Sequence, residues 1–122
     1  MLLQKRKAKR DIMQEMRIIQ ILTEYQMIKE QEKFSLFLFG SQDCAPCKAL
    51  EEKITIWSVT HPQVFTSYVS IENNISLAVQ KNILGSPAIL VFVEGKEAIR
   101  KIGHFNLEEV FTALERYLLY SD

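Results

Sequence analysis

Residues 34–39, FSLFLF, constrain the fold more than any other stretch of this chain. Five of the six are apolar and the run has no alternating polar face, so a strand formed here is buried on both sides. Such a strand lies inside a sheet with helices packed above and below it. Gly40 ends the run and Ser41-Gln42-Asp43 make a short loop. Both cysteines of the chain, Cys44 and Cys47, follow at once.

The remaining segments fit an α/β architecture. RIIQIL, 17–22, is a β-branched run that suits a strand, with Thr23 as N-cap of a helix over 24–32. One longer helix from Asp11 to Glu32 is the alternative. After the cysteines, Cys47, Leu50, Ile54 and Trp57 recur at steps of three, four and three. They form one face of a helix that His61-Pro62 stops near Thr60. VFTSYVSI, 64–71, reads as a strand. Asn74 is expected to cap a short helix with Ile75, Ala78, Val79 and Ile83 on its inner face, and Gly85 to mark its stop. AILVFVEG and EAIRKIG read as a hairpin turning at Glu94-Gly95-Lys96. Asn106 and Glu109 form a capping box for a last helix, whose stripe of Val110, Leu114, Tyr117 and Leu118 is expected in the core.

The length of 122 residues suits one domain, expected over 16–122 and preceded by a basic arm over 1–15. Lys5, Arg6, Lys7, Lys9 and Arg10 put +5 in the first ten residues, and the other 112 carry 10 basic and 15 acidic side chains. Such an arm suits nucleic acid or anionic lipid. The expectation here is a solvated terminus, with no nucleic-acid or membrane partner. The longest apolar run, AILVFV, is far short of the roughly 20 residues that span a bilayer. The charges of DIMQEMRIIQ interrupt any signal-peptide core. Two cysteines are no disulfide framework, so a reducing compartment is expected, and with no signal-peptide core a cytoplasmic location; a monomer is expected as well.

Cys44 and Cys47 admit three readings: a redox pair, half of a metal site, or two small core residues. A zinc site normally needs four ligands. The histidines that would complete it, His61 and His104, fall at the far end of the helix and after the last strand. Neither metal nor bound cofactor is expected. Placement favours redox chemistry. Cys44 falls at a helix N-terminus, where unpaired N–H groups and the helix dipole favour an anion such as a thiolate. Cys47, one turn on, heads the apolar face and lies deeper. Pro46 suits the first helical turn, where a missing N–H is harmless. In this scheme the Cys44 thiolate attacks a substrate disulfide, and Cys47 then resolves the mixed disulfide. Lys48 favours the thiolate and Asp43 disfavours it.

Ser86-Pro87 directly precedes the strand AILVFV. Alone it reads as an ordinary trans proline opening a strand. Beside the cysteine motif a cis bond is expected.

The segments CAPCK, GSPAILVFVEGKE and IRKIG are similar to those of the thioredoxin family, over roughly residues 17–120. The resemblance implies the thioredoxin fold, a central mixed β-sheet of four to five strands with helices on both faces. It also implies a thiol–disulfide oxidoreductase, with disulfide-containing client proteins and a thioredoxin reductase as partners. Pro87 is then a cis proline packed against the redox pair, the Ser86 backbone pairs with an extended substrate segment, and Gly103 lies near the substrate groove. The departures are specific. Asp43 replaces the tryptophan before the first cysteine and Ala45 replaces a glycine. Leu38 stands where the family has a buried carboxylate, and Glu52 where it has a helix-kinking proline. Leu38 and Asp43 keep a second reading open, a thioredoxin-fold binding or assembly module with non-catalytic cysteines.

Overall fold

The computed structural model describes residues 17–19 and 22–120. The basic arm and the expected boundary near residue 16 lie outside the described residues. The elements are β1 (Arg17–Ile19), α1 (Leu22–Gln31), β2 (Phe34–Gly40), α2 (Ala45–Val59), β3 (Val64–Ser70), α3 (Ile75–Gln80), β4 (Ala88–Val93), β5 (Lys96–Ile102) and α4 (Leu107–Leu119). Strand then helix is the order at the N-terminal end, in place of one long helix. Helix α1 starts at Leu22, so Thr23 sits within its first turn rather than at the N-cap.

The strands form one mixed sheet in the order β1-β3-β2-β4-β5. FSLFLF lies at its centre and is buried at every position. It pairs in parallel with β3, which requires the α2 crossover, and antiparallel with β4. Alternate residues serve the two faces. Phe37 and Phe39 join Tyr25 and Ile28 of α1, Leu77 and Ala78 of α3, and Phe65 and Val69 of β3. Leu36 and Leu38 join Ile54 of α2 and Leu107, Val110, Phe111 and Leu114 of α4. Helices therefore cover both faces, α1 and α3 on one and α2 and α4 on the other.

Three expectations for α3 need correction. In α3, Ile75 and Val79 are exposed while Leu77 and Ala78 are buried. Six residues make fewer than two turns, so the anchoring of each end, not periodicity, selects the inner face. Asn74 holds the N-cap position without a side-chain cap bond, and its amide donates to Ser70 O at 2.9 Å. The stop is Asn82, at φ 58°, rather than Gly85. Asn82 N–H donates to Val79 O and Ile83 N–H to Ala78 O, a Schellman closure with Asn82 in the left-handed position.

The β4–β5 hairpin turns on Glu94 and Gly95, both at positive φ, and Lys96 already belongs to β5. Asn106 caps α4 by accepting from Glu108 N–H at 2.9 Å. Of its predicted stripe, Val110 and Leu114 are buried, Leu118 is half-buried and Tyr117 is exposed.

Candidate active site

The sheet register brings separate loops to one edge. β2 pairs with β3 up to Gly40↔Ser70 and with β4 back to Phe39↔Ala88. The loop after β2, the loop after β3 and the loop before β4 therefore emerge together. Ile71 N–H donates to Gly40 O at 2.9 Å, and Gln42 N–H donates to the Glu72 carboxylate at 2.8 Å. Across the other side, the hydroxyls of Ser41 and Ser86 are hydrogen-bonded at 2.8 Å. Gly103 N–H reaches Pro87 O at 2.9 Å from the end of β5.

Cys44 is the N-cap of α2, with extended backbone at φ −112°, ψ 97°. Its carbonyl accepts from Cys47 N–H at 3.1 Å, and its sulfur accepts from that same amide at 3.1 Å. Pro46 sits in the first turn, where no N–H is needed. Cys44 and Cys47 are joined as a disulfide, with Cα atoms 5.2 Å apart. Cys44 is half-buried; Cys47 is fully buried. One cysteine is thus partly exposed, with its sulfur beside a backbone donor and the positive end of a helix, and the other is screened from solvent.

Asp43 and Lys48 are both exposed on either side of the pair. The Ser86–Pro87 peptide is cis, with Pro87 buried and Ser86 half-buried. Gly103 has φ +85°, and nothing stands within 4 Å of where its Cβ would be, so the surface there is open. His61 lies beyond the far end of α2, hydrogen-bonded to Trp57 O at 2.9 Å, and His104 is exposed after β5.

Leu38 is fully buried in the apolar layer beneath α2 and α4, beside Tyr68 in the register. Burial, then Glu51 and Glu72, push the Tyr68 hydroxyl above its ordinary pKa, so the phenol stays protonated. Sequence reasoning missed three contributors, Ser41, Glu72 and Tyr68. Their partners are distant in the chain, 45 residues for Ser41 and 30 for Glu72. Only strand register could have found them.

The thioredoxin family model matches residues 19–116. This chain belongs to the thioredoxin family. A thioredoxin-like protein of Bacillus subtilis, YdfQ, is 24% identical over 109 residues, covering 88% of this chain and 97% of that protein. Thioredoxin-2 of Pyricularia oryzae is 29% identical over 74 residues, covering 61% of this chain but only 43% of the fungal protein. Among solved structures, thioredoxin from Trypanosoma brucei brucei superposes with a TM-score of 0.78 at 19% identity, over 86% of this chain and 92% of that one. That likeness shows the fold. Family membership and a cysteine pair at bonding distance together support thiol–disulfide chemistry. Among the described residues, no helix is long and apolar enough to cross a membrane.

Proposed function

We propose that the protein is a thiol–disulfide oxidoreductase of the protein disulfide reductase type, using Cys44 and Cys47 as its dithiol–disulfide couple. The observation that carries this reading is the asymmetry of the pair. Cys44 is half-buried and its sulfur accepts a backbone N–H at the start of α2, whereas Cys47, one turn on, is fully buried. In the reduced protein the same N–H supports a Cys44 thiolate, the nucleophilic form. Lys48 adds positive charge nearby and Asp43 opposes it.

The Cys44 thiolate attacks one sulfur of a client disulfide, forming a mixed disulfide and releasing the other client sulfur as a thiolate. Cys47 loses its proton and attacks Cys44 Sγ. The mixed disulfide breaks, the second client thiolate departs, and the Cys44–Cys47 bond forms. Two electrons and two protons pass from the protein dithiol to the client. A thioredoxin reductase or small thiols restore the dithiol, so no bound cofactor is required. The Ser86 main chain, Pro87 and Gly103 line the groove in which an extended client segment lies. The protein works as a monomer in the cytoplasm.

The buried Leu38 favours a second reading, because no carboxylate occupies that position to take the Cys47 proton. On that reading the fold is a binding or assembly module. Dithiothreitol-driven reduction of insulin separates the two. Turnover above the thiol background that vanishes in Cys44→Ser, and stalls as a trapped mixed disulfide in Cys47→Ser, supports the oxidoreductase. Repeating the assay with NADPH and thioredoxin reductase tests the recycling partner. Absence of turnover above background refutes the general reductase and leaves the binding module.

A further inference from the structure

β2 and β4 pair in strict antiparallel register from Phe34↔Val93 to Phe39↔Ala88. Continued one step, that register sets Gly40 opposite Pro87, which has no N–H to donate, and the ladder stops there. Continued a second step, it sets Ser41 opposite Ser86. At that place the two side-chain hydroxyls meet at 2.8 Å in a part-buried hydrogen bond. A side-chain bond thus stands where the register would have placed the next backbone pair.

The two residues joined belong to the two loops that flank the disulfide. Ser41 begins the loop that carries Cys44 three residues later. Ser86 supplies the main chain on which an extended client segment is proposed to lie, and its neighbour Pro87 is tied by its carbonyl to Gly103. We propose that the Ser41–Ser86 bridge is a side-chain rung extending the β2–β4 ladder past Pro87, and that Ser41 is thereby a positioning residue for exchange with protein disulfides. The inference rests on the oxidoreductase reading. The bridge holds the nucleophile's loop and the docking segment at one spacing. A protein disulfide must engage both at once, whereas a small disulfide needs only the Cys44 sulfur. Loss of the bridge therefore shifts the preference between the two kinds of substrate, which a general loss of folding would not do.

The test compares insulin with hydroxyethyl disulfide as substrates for the wild type and for Ser41→Ala, Ser41→Thr, Ser86→Ala and the double alanine variant. Ser41→Ala is expected to lower the insulin-to-small-disulfide ratio of kcat/KM about threefold to tenfold, the range set by one neutral hydrogen bond. Ser41→Thr, which keeps a hydroxyl, is expected to recover most of it. The double variant is expected to lose little more on insulin than either single one, because one bond is being removed twice. Equal losses on both substrates, no loss, or losses that multiply in the double variant would each overturn the proposal. If the wild type turns over neither substrate, the oxidoreductase reading fails and the rung is judged by amide exchange in the disulfide form. The Gly103 amide, bonded to Pro87 O, is expected to exchange about threefold to tenfold faster in Ser41→Ala; an unchanged rate refutes the rung.

Discussion

The ring of Tyr68 fills the space that a side chain at Gly40 would need. A Cβ built on Gly40 would stand 2.8 Å from Tyr68 Cζ and 2.9 Å from Cε2, closer than real contacts allow. Glycine at the end of β2 is therefore a packing requirement imposed from the neighbouring strand, directly below the redox loop. Gly40→Ala is expected to destabilise the protein by about 1–3 kcal/mol, the usual range for overpacking. In a Tyr68→Ala background the same substitution should be nearly neutral. Urea unfolding of the four proteins of this cycle checks both statements; an equal cost in the two backgrounds would show that Tyr68 is not the obstacle.

Trp57, the only tryptophan, is held between two rings at the far end of α2. It stacks on His61 at 3.8 Å and on Phe111 at 4.6 Å, both rings nearly parallel to the indole. Its Nε1–H donates to Glu115 at 3.1 Å, and the same carboxylate oxygen lies 3.2 Å from His61 Nε2. Trp57 is about 15 Å along the helix from Cys47. Its emission is expected to stay the same when dithiothreitol opens the disulfide, and to shift red in Phe111→Ala as the indole meets water. Steady-state spectra of both proteins, oxidised and reduced, decide this.

Glu72 steadies the loop ahead of Cys44 through the Gln42 amide. That hydrogen bond is the main reason its pKa lies below the ordinary 4.5, helped by its own backbone N–H. A lowered folded-state value means the contribution is fully present above the ordinary value and is lost as pH falls through the lowered one. Gln42 amide protection, corrected for intrinsic exchange, should be higher in the wild type than in Glu72→Ala at neutral pH. The difference should close in acid. A gap that persisted below the carboxylate range would point to some other hold on the loop.

Asn82 closes α3 with φ 58°. Asn82→Ala is expected to cost about 1–2 kcal/mol, the penalty of the left-handed conformation for a residue with an ordinary Cβ. Asn82→Gly should not destabilise. Thermal unfolding of the two variants is sufficient, and a similar loss in both would place the cost in the side chain rather than the backbone.

How much was legible in the sequence depended on the length of each signal. FSLFLF declared a central strand because an apolar residue on both sides of the pleat has no other home. Cys44 was readable as an N-cap because strand, loop and helix follow within a few residues. The inner face of α3 was not readable, since Ile75 and Val79 share the four-residue spacing of a core stripe yet point outward. Asn82 was overlooked because Gly85, a stronger stop signal, lies three residues on. Ser41, Tyr68 and Glu72 matter through partners that strand register supplies, and a linear pattern carries no register between strands 45 residues apart.

The outer strand β5 has a consequence for the client exchange proposed above. It ends the strand order on one side and carries Lys96, Glu97, Arg100 and Lys101 within seven residues, with a break in pairing opposite Val91 and Phe92. The margin of a sheet is a template on which a stray chain can grow, and charge and irregularity discourage that growth. A reductase meets chains that are partly unfolded and rich in exposed backbone. On the oxidoreductase reading, a guarded β5 margin leaves a visiting segment the main chain beside Pro87, for the few residues an exchange needs. A protein in that role would release what it reduces rather than become the seed of an aggregate.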